Sequence, residues 1–402
     1  MKMGVPELNI GMVGHVDHGK TTLLERLSGK WADTHSEEIK RGITIRLGYA
    51  DTTFYQYEDG TFGTEKKPNA KELRTVSFVD APGHESLMAT MLAGATIMDG
   101  AFLLIAANEE CPQPQTREHI MALEIIGLKH LIVVQNKIDL VDEKSTIRNY
   151  QQIKEFLKGT SFENAPVVPV SAMYKIGISE LIGTVQETIK TPKRDASETT
   201  LMLTARSFDI NKPGTLPEAI NGGVLGGALI QGVLSVGDDI EIRPGIQVTE
   251  KNQTVYKPLT TKIAGLHAGG KNVEKVSPGG SIAVLTSLDP SIVKSDSLAG
   301  SVVGLSGKMP PVWQNLSLEP HLLQRMVSVQ GDLSVDPIKV SEPLMLNVNA
   351  AATVGMVKEL GTKKITCELK RPVVADKGNR ITISRSIGQR WRLIGWGLIL
   401  EK

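Results

Sequence analysis

The chain has 402 residues, of which 41% are hydrophobic and 22% charged, and a formal net charge of +1. That length exceeds what one hydrophobic core usually serves, so two or three domains are expected. Its two cysteines, Cys111 and Cys367, form no Cys-x-x-Cys pair, which excludes a disulfide framework and points to a reducing compartment. The opening "MKMGVPELN" has no apolar core of signal-peptide length, and no apolar run approaches the roughly 20 residues that span a bilayer. A cytoplasmic protein is expected. From Pro310 to Lys402, 13 Lys or Arg stand against 8 Asp or Glu, an excess that suits a solvated surface or one that meets polyanion.

In chain order, "LNIGMV" reads as a strand leading into a glycine loop, and "KTTLLERLSG" as a helix closed by Gly29. "VSFVD", "GAFLLIAAN", "HLIVVQNK" and "APVVPVSA" follow as buried strands, with "ESLMATMLAGATIM", "TREHIMALEIIGL" and "ISELIGTVQETI" at helical spacing between them. Alternating strands and helices predict a parallel sheet covered on both faces. After the polar connector "TPKRDASET" the texture turns to short β-rich runs separated by Gly, Pro, Asn and Asp, with a second break at "LSGKMPPVW". The expected architecture is an α/β phosphate-loop domain over 1–197 followed by two β-barrel domains, 198–309 and 310–402.

The motifs name a nucleotide. Gly14 to Thr21 fits G-x-x-x-x-G-K-[ST] between a strand and a helix. Gly14, His15, Val16, Asp17, His18, Gly19, Lys20, Thr21 and Thr22 would wrap the phosphates, Gly14 and Gly19 by letting backbone N–H groups face them. Lys20 would reach the β and γ phosphates and the Thr21 hydroxyl would ligate Mg²⁺. In "VSFVDAPGHE" Asp80 ends a strand, where a carboxylate supports Mg²⁺, and Gly83 can offer its N–H to the γ phosphate. In "RGITI", Gly42 and Thr44 lie in a segment suited to sense that phosphate, with Thr44 a further metal candidate. "VVQNKIDL" selects the base. Asp139 can accept from guanine N1–H and the 2-amino group, which adenine lacks, with Asn136 and Lys137 beside it, and Ser171-Ala172 would bring a backbone N–H to guanine O6. GTP or GDP is the expected ligand.

Together "GHVDHGKTTL", "RGITI", "DAPGHE" and "NKID" resemble the translational GTPases. That resemblance implies that His84 orients the attacking water, a role imidazole suits because it changes charge near neutral pH. It also implies an apolar gate at Val16 and Ile43, equally ordinary core residues, and leaves Asp17 to help hold a cation or to cap the turn. "ECPQPQTREH", "ARSFDINKPG", "NGGVLGGALIQG", "GDDIEIRPG" and "GQRWRLIGWG" are similar to the gamma-subunit family of archaeal and eukaryotic initiation factor 2, along essentially the whole chain.

That family commonly carries a zinc knuckle of two Cys-x-x-Cys pairs where this chain has "TTFYQYEDGTFGTEKKPNAKEL", without cysteine or histidine, so no structural zinc of that type is expected. The resemblance implies alpha and beta partner subunits, initiator methionyl-tRNA as cargo and the small ribosomal subunit as destination. Tyr49 matches a tyrosine at the tRNA acceptor end, or packs as a strand aromatic. Gly222, Gly223, Gly226 and Gly227 permit close approach of that end, or form barrel turns. Arg390 and Arg392 around Trp391 make a nucleic-acid patch, or belong to an alternating strand. An elongation factor for aminoacyl-tRNA and a GTPase regulatory subunit of a sulfate-activating enzyme share this architecture as alternatives.

Overall fold

The computed structural model describes residues 4–30, 44–84, 87–251, 253–326, 333–388 and 390–401. Gly42 and Ile43 of the sensing segment lie outside the described residues.

The first compact unit runs to Pro192. Its sheet contains β1 (Asn9–Gly14), β2 (Gly48–Gln56), β3 (Phe62–Gly63), β4 (Lys71–Asp80), β5 (Gly100–Ala106), β6 (Leu131–Asn136) and β7 (Val167–Pro169), in the order β3-β2-β4-β1-β5-β6-β7. The β4-β1-β5-β6-β7 pairs are parallel, and β2 and β3 run antiparallel at the edge. β1, β5 and β6 are buried along their whole length, the condition that produces unbroken apolar runs in place of alternation. Phe54, Phe78 and Phe102 fill the core, with the Phe78 and Phe102 rings 5.8 Å apart.

Helices cover both faces. Helix Lys20–Ser28 and helix Pro114–Ile126 end on Gly29 and Gly127, both left-handed, and Pro114 opens the second of them. Helix Glu143–Leu157 is capped by Asp142, which accepts from the Ser145 N–H at 2.9 Å. Consecutive strands leave β1 on opposite sides, towards β4 and β5, which opens a crevice at the carboxyl end of β1.

The cysteine-free insertion is the β2-β3-β4 hairpin. Asp59 accepts from the Thr61 N–H and hydroxyl, the Tyr57 hydroxyl donates to Glu65 O at 2.9 Å, and the Lys67 ammonium lies 4.1 Å from the Tyr57 ring centre. The Phe62 N–H donates to Ser179 Oγ at 2.9 Å on helix Ile178–Thr188. Turn chemistry and one aromatic hold this segment, and its residues offer neither thiolate nor imidazole to a zinc ion.

The second unit runs from Lys193. Strands Asp239–Glu250, Val302–Leu305, Leu201–Phe208, Val224–Gln231, Ser281–Thr286 and Gln253–Ala268 pair in that order, and the last pairs back onto the first, closing a six-strand barrel. Along Ser281–Thr286 the buried residues are Ile282, Val284 and Thr286, the two-residue period of a strand with one face inward. A second closed barrel comprises Val312–Leu322, Ile365–Val374, Ala351–Leu360, Pro343–Val348, Arg380–Ile387 and Arg390–Ile399.

A Cβ on Gly222 would lie 1.9 Å from Thr286 O and one on Gly227 1.9 Å from Leu203 O, so barrel packing alone demands these glycines. Arg390 is exposed, Trp391 half-buried and Arg392 buried, and burial continues unbroken to Gly395, so this end of the strand does not alternate as expected.

Candidate functional site

The crevice at the end of β1 holds the glycine loop. Gly14 has φ +135 and its Cβ would meet Leu104 O at 2.4 Å, while Asp17 (φ 63) and Gly19 (φ 88) turn through the left-handed region. That conformation is easy for glycine and tolerable for aspartate. The loop delivers the chain into helix Lys20–Ser28, whose amino-terminal N–H groups suit an anion. The buried Lys20 ammonium donates to Gly14 O at 3.0 Å and His15 O at 2.7 Å, folding back across the loop. His15, Val16 and Gly19 are half-buried, Asp17 is exposed, and Thr21 and Thr22 are half-buried.

The Thr21 hydroxyl donates to Asp80 Oδ2 at 2.8 Å and lies 3.3 Å from Thr44 Oγ1. Since its single proton goes to the carboxylate, Thr44 is the donor of the second bond. Three sequence-predicted metal candidates therefore converge, and their hydroxyl and carboxylate oxygens fit a hard divalent cation. Asp17, the fourth, sits on the exposed apex of the loop. Gly83 approaches the same place: a Cβ there would fall 2.5 Å from Lys20 Nζ and 2.8 Å from Gly14 O. His84 follows it with an exposed side chain, and its carbonyl accepts from the Leu87 N–H.

Asn136 ties two loops together. Its amide donates to His18 O at 2.9 Å and its Oδ1 accepts from the Ala172 N–H at 3.0 Å. Gly19 must be small for this strut to pass, since a Cβ would lie 2.4 Å from Asn136 Nδ2. Lys137 follows in the left-handed region (φ 62) and Asp139 is exposed in the short turn Ile138–Leu140. Buried Ser171 accepts from the Tyr174 N–H through Oγ. The Ala172 N–H is thus engaged by Asn136, and a purine oxygen arriving there would share or displace that bond. Tyr49 is half-buried at the start of β2, opposite Val79 of β4.

A histidine cluster beneath the loop was only partly legible. His119, on helix Pro114–Ile126, accepts through Nδ1 from the Gly14 N–H at 2.8 Å. Complete burial, then Lys20, His15 and His18, push its pKa down to about 3, so the ring is neutral with its proton on Nε2. His18 lies 2.9 Å through Nδ1 from Leu104 O and 3.3 Å through Nε2 from Glu109 Oε2. A carbonyl only accepts, so Nδ1 carries a proton. Burial lowers the pKa of His18, against the opposing pull of Leu104 O and Glu109. Burial likewise lowers His15, whose ring meets that of His18 edge-on at 5.1 Å. The sequence offered one signal for His119: a histidine among Ile120, Ala122 and Leu123 on an apolar face, where a buried acceptor is equally a core residue.

Residues 6–191 match the family described as the Elongation factor Tu GTP binding domain, and residues 314–399 the family described as Initiation factor eIF2 gamma, C terminal. The chain is 55% identical over 401 residues to translation initiation factor 2 subunit gamma of Pyrococcus furiosus, covering 98% of each chain. It is 56% identical over 399 residues to that of Methanocaldococcus jannaschii, covering 98% of this chain and 97% of the other. In fold it is similar to a bacterial selenocysteine-specific elongation factor, with TM-score 0.75 and 23% identity over 98% of this chain, which spans 58% of that structure. It is also similar in fold to elongation factor SelB of Methanococcus maripaludis bound to a GTP analogue, with TM-score 0.72, 21% identity, and 99% and 80% coverage.

Proposed function

Because the chain belongs to the gamma-subunit family of translation initiation factor 2, GTP hydrolases that serve translation initiation, we propose that it acts as a GTP-dependent carrier of initiator methionyl-tRNA. In this proposal it works with alpha and beta subunits in a cytoplasmic heterotrimer, brings the tRNA to the small ribosomal subunit and releases it after hydrolysis. We keep 1–197, 198–309 and 310–402 as its domains.

The observation that carries the nucleotide part is the convergence of Lys20, Thr21, Thr44 and Asp80 at the amino terminus of helix Lys20–Ser28. Thr21 and Asp80 would hold Mg²⁺, with Thr44 closing over it. The ion neutralises charge on the β and γ oxygens when bound. Lys20, which folds across the loop onto the carbonyls of Gly14 and His15, would turn to the phosphate oxygens. Gly83 would offer its N–H to the γ phosphate and His84 would hold the attacking water. Asp139 would accept two bonds from guanine, with the stem of Lys137 along the ring and Asn136 fixing the distance from base to phosphate.

An apolar cleft supports the RNA part. A cavity of about 560 Å³ on the outside of the first barrel is lined by Phe208, Ile210 and Leu285, with His267, Asn272 and Glu274 as polar groups. Such a cleft can stack a terminal base and bond its edge. The test is retention of initiator methionyl-tRNA by the chain with its alpha and beta partners, comparing a non-hydrolysable GTP analogue with GDP, and elongator methionyl-tRNA as competitor. Binding only with the analogue, and poor competition by the elongator, is the expected result. Equal binding of both tRNAs would instead indicate an elongation role, and no tRNA binding a metabolic GTPase.

A further inference from the structure

A second cleft, of about 410 Å³, opens where the hairpin of strands Asp239–Glu250 and Gln253–Ala268 extends beyond the first barrel onto the second. Its polar lining is Gln247, Thr254 and Tyr256 from the hairpin, and Thr353, Lys370 and Arg371 from the second barrel. It has two cations and no carboxylate.

Arg371 is the informative residue. Its backbone is locked to Thr353, whose Oγ1 donates to Arg371 O at 2.8 Å and accepts from Arg371 N at 3.1 Å. Its guanidinium, by contrast, has Nη2 buried without a hydrogen-bond partner among the described residues. Burial lowers the pKa of Arg371, and only the Tyr256 phenol opposes that effect. A desolvated cation without an anion costs free energy, and three other half-buried arginines have one: Arg206 has Asp296, Arg243 has Glu241 and Arg385 has Glu342. The Tyr256 hydroxyl faces Gln247 Oε1 at 3.2 Å, which fixes the phenol at the wall of the cleft with its ring half exposed.

We propose that Arg371 and Lys370, facing Tyr256 across this cleft, bind a phosphoryl group. A guanidinium fork matches phosphate oxygens in pairs, an ammonium adds a point charge, and an aromatic wall can stack on an attached base. The basic excess of residues 310–402 raises the local concentration of polyanions around it. The site is separate from the glycine loop and from the apolar cleft of the first barrel, and does not depend on the tRNA assignment.

The experiment uses the intact chain saturated with GDP and Mg²⁺, so that its nucleotide loop is filled. Fluorescence anisotropy of a labelled deca-uridylate without a terminal phosphate is read across a salt series, and thermal unfolding is read with millimolar inorganic phosphate. If an RNA strand supplies the group, Arg371→Met weakens RNA binding about tenfold and lowers the slope of log affinity against log salt by about one. Lys370→Ala lowers both by less. If free phosphate supplies it, phosphate raises the unfolding temperature of the wild type and leaves that of Arg371→Met unchanged. In either case Arg371→Met unfolds no earlier than the wild type without ligand, because it removes a half-buried charge with no ion-pair partner among the described residues. Equal responses of wild type and both variants to both probes would overturn the proposal. So would a poly-glutamate peptide that binds in an Arg371-dependent way while neither phosphate probe does.

Discussion

The Gly14 N–H donates to His119 Nδ1 at 2.8 Å, from the end of the first strand to a helix 105 residues later. The loop's first residue is therefore held from beneath by a neutral imidazole. Replacement of His119 by Phe fills the volume and removes the acceptor, leaving a buried N–H unpaired. The expected cost is about 1–3 kcal/mol of stability, with weaker GDP and GTP binding, measured by chemical denaturation and nucleotide titration.

The same histidine sets a pH dependence. Its folded pKa, near 3, lies below the ordinary 6.5, so the unfolded chain binds the extra proton between those values. The stability it contributes is complete above about pH 6.5 and is lost as pH falls towards 3, by at most about 1.4 kcal/mol per pH unit. Lowered pKa values of His15 and His18 act in the same direction. Thermal unfolding from pH 7.5 to 5 will show the fall, and His119→Phe will flatten it.

The phosphate loop and the parallel sheet were legible because each is a contiguous pattern with a local physical cause. Gly14 and Lys20 announce themselves within eight residues, and β1, β5 and β6 are buried throughout and mostly apolar because both faces are covered. What was illegible depends on distant pairings. Asn136 belonged to a motif for the base, yet its side chain spans from His18, 118 positions away, to Ala172, 36 positions away. Nothing in "NKID" encodes those partners. A barrel was expected over 198–309, but which strand shuts it was equally hidden, because Gln253–Ala268 is exposed along much of its length and lacks a clean alternation.

Gly83→Ala tests how closely the second loop approaches the first. A Cβ at 2.8 Å from Gly14 O cannot be relieved by moving a flexible side chain. The loops must separate, at about 1–3 kcal/mol. Binding of a GTP analogue is expected to weaken more than binding of GDP, since in the proposed site only the γ phosphate would meet Gly83; isothermal titration with both nucleotides measures the difference.

Thr21→Ala removes a hydroxyl that already donates to Asp80 at 2.8 Å. Nucleotide affinity should then lose most of its dependence on magnesium, read as the ratio of dissociation constants with and without the ion. Equal magnesium dependence in the variant would place the cation elsewhere.

His84→Ala should leave nucleotide affinity near wild type, because the side chain is exposed and lies outside the loop's hydrogen bonds with Lys20 and Asn136. GTP hydrolysis is expected to slow by about 10²–10⁴-fold in single-turnover assays, the range for loss of a positioned base.

The second barrel is a ring of six strands, and a closed ring offers no strand edge: its backbone ladder ends where it began. A visiting protein cannot extend that ring by adding a strand, nor can two copies zip together along it. Recognition on that barrel must run through side chains and turns. Contact residues there can therefore change one at a time, from relative to relative, without disturbing the fold that displays them.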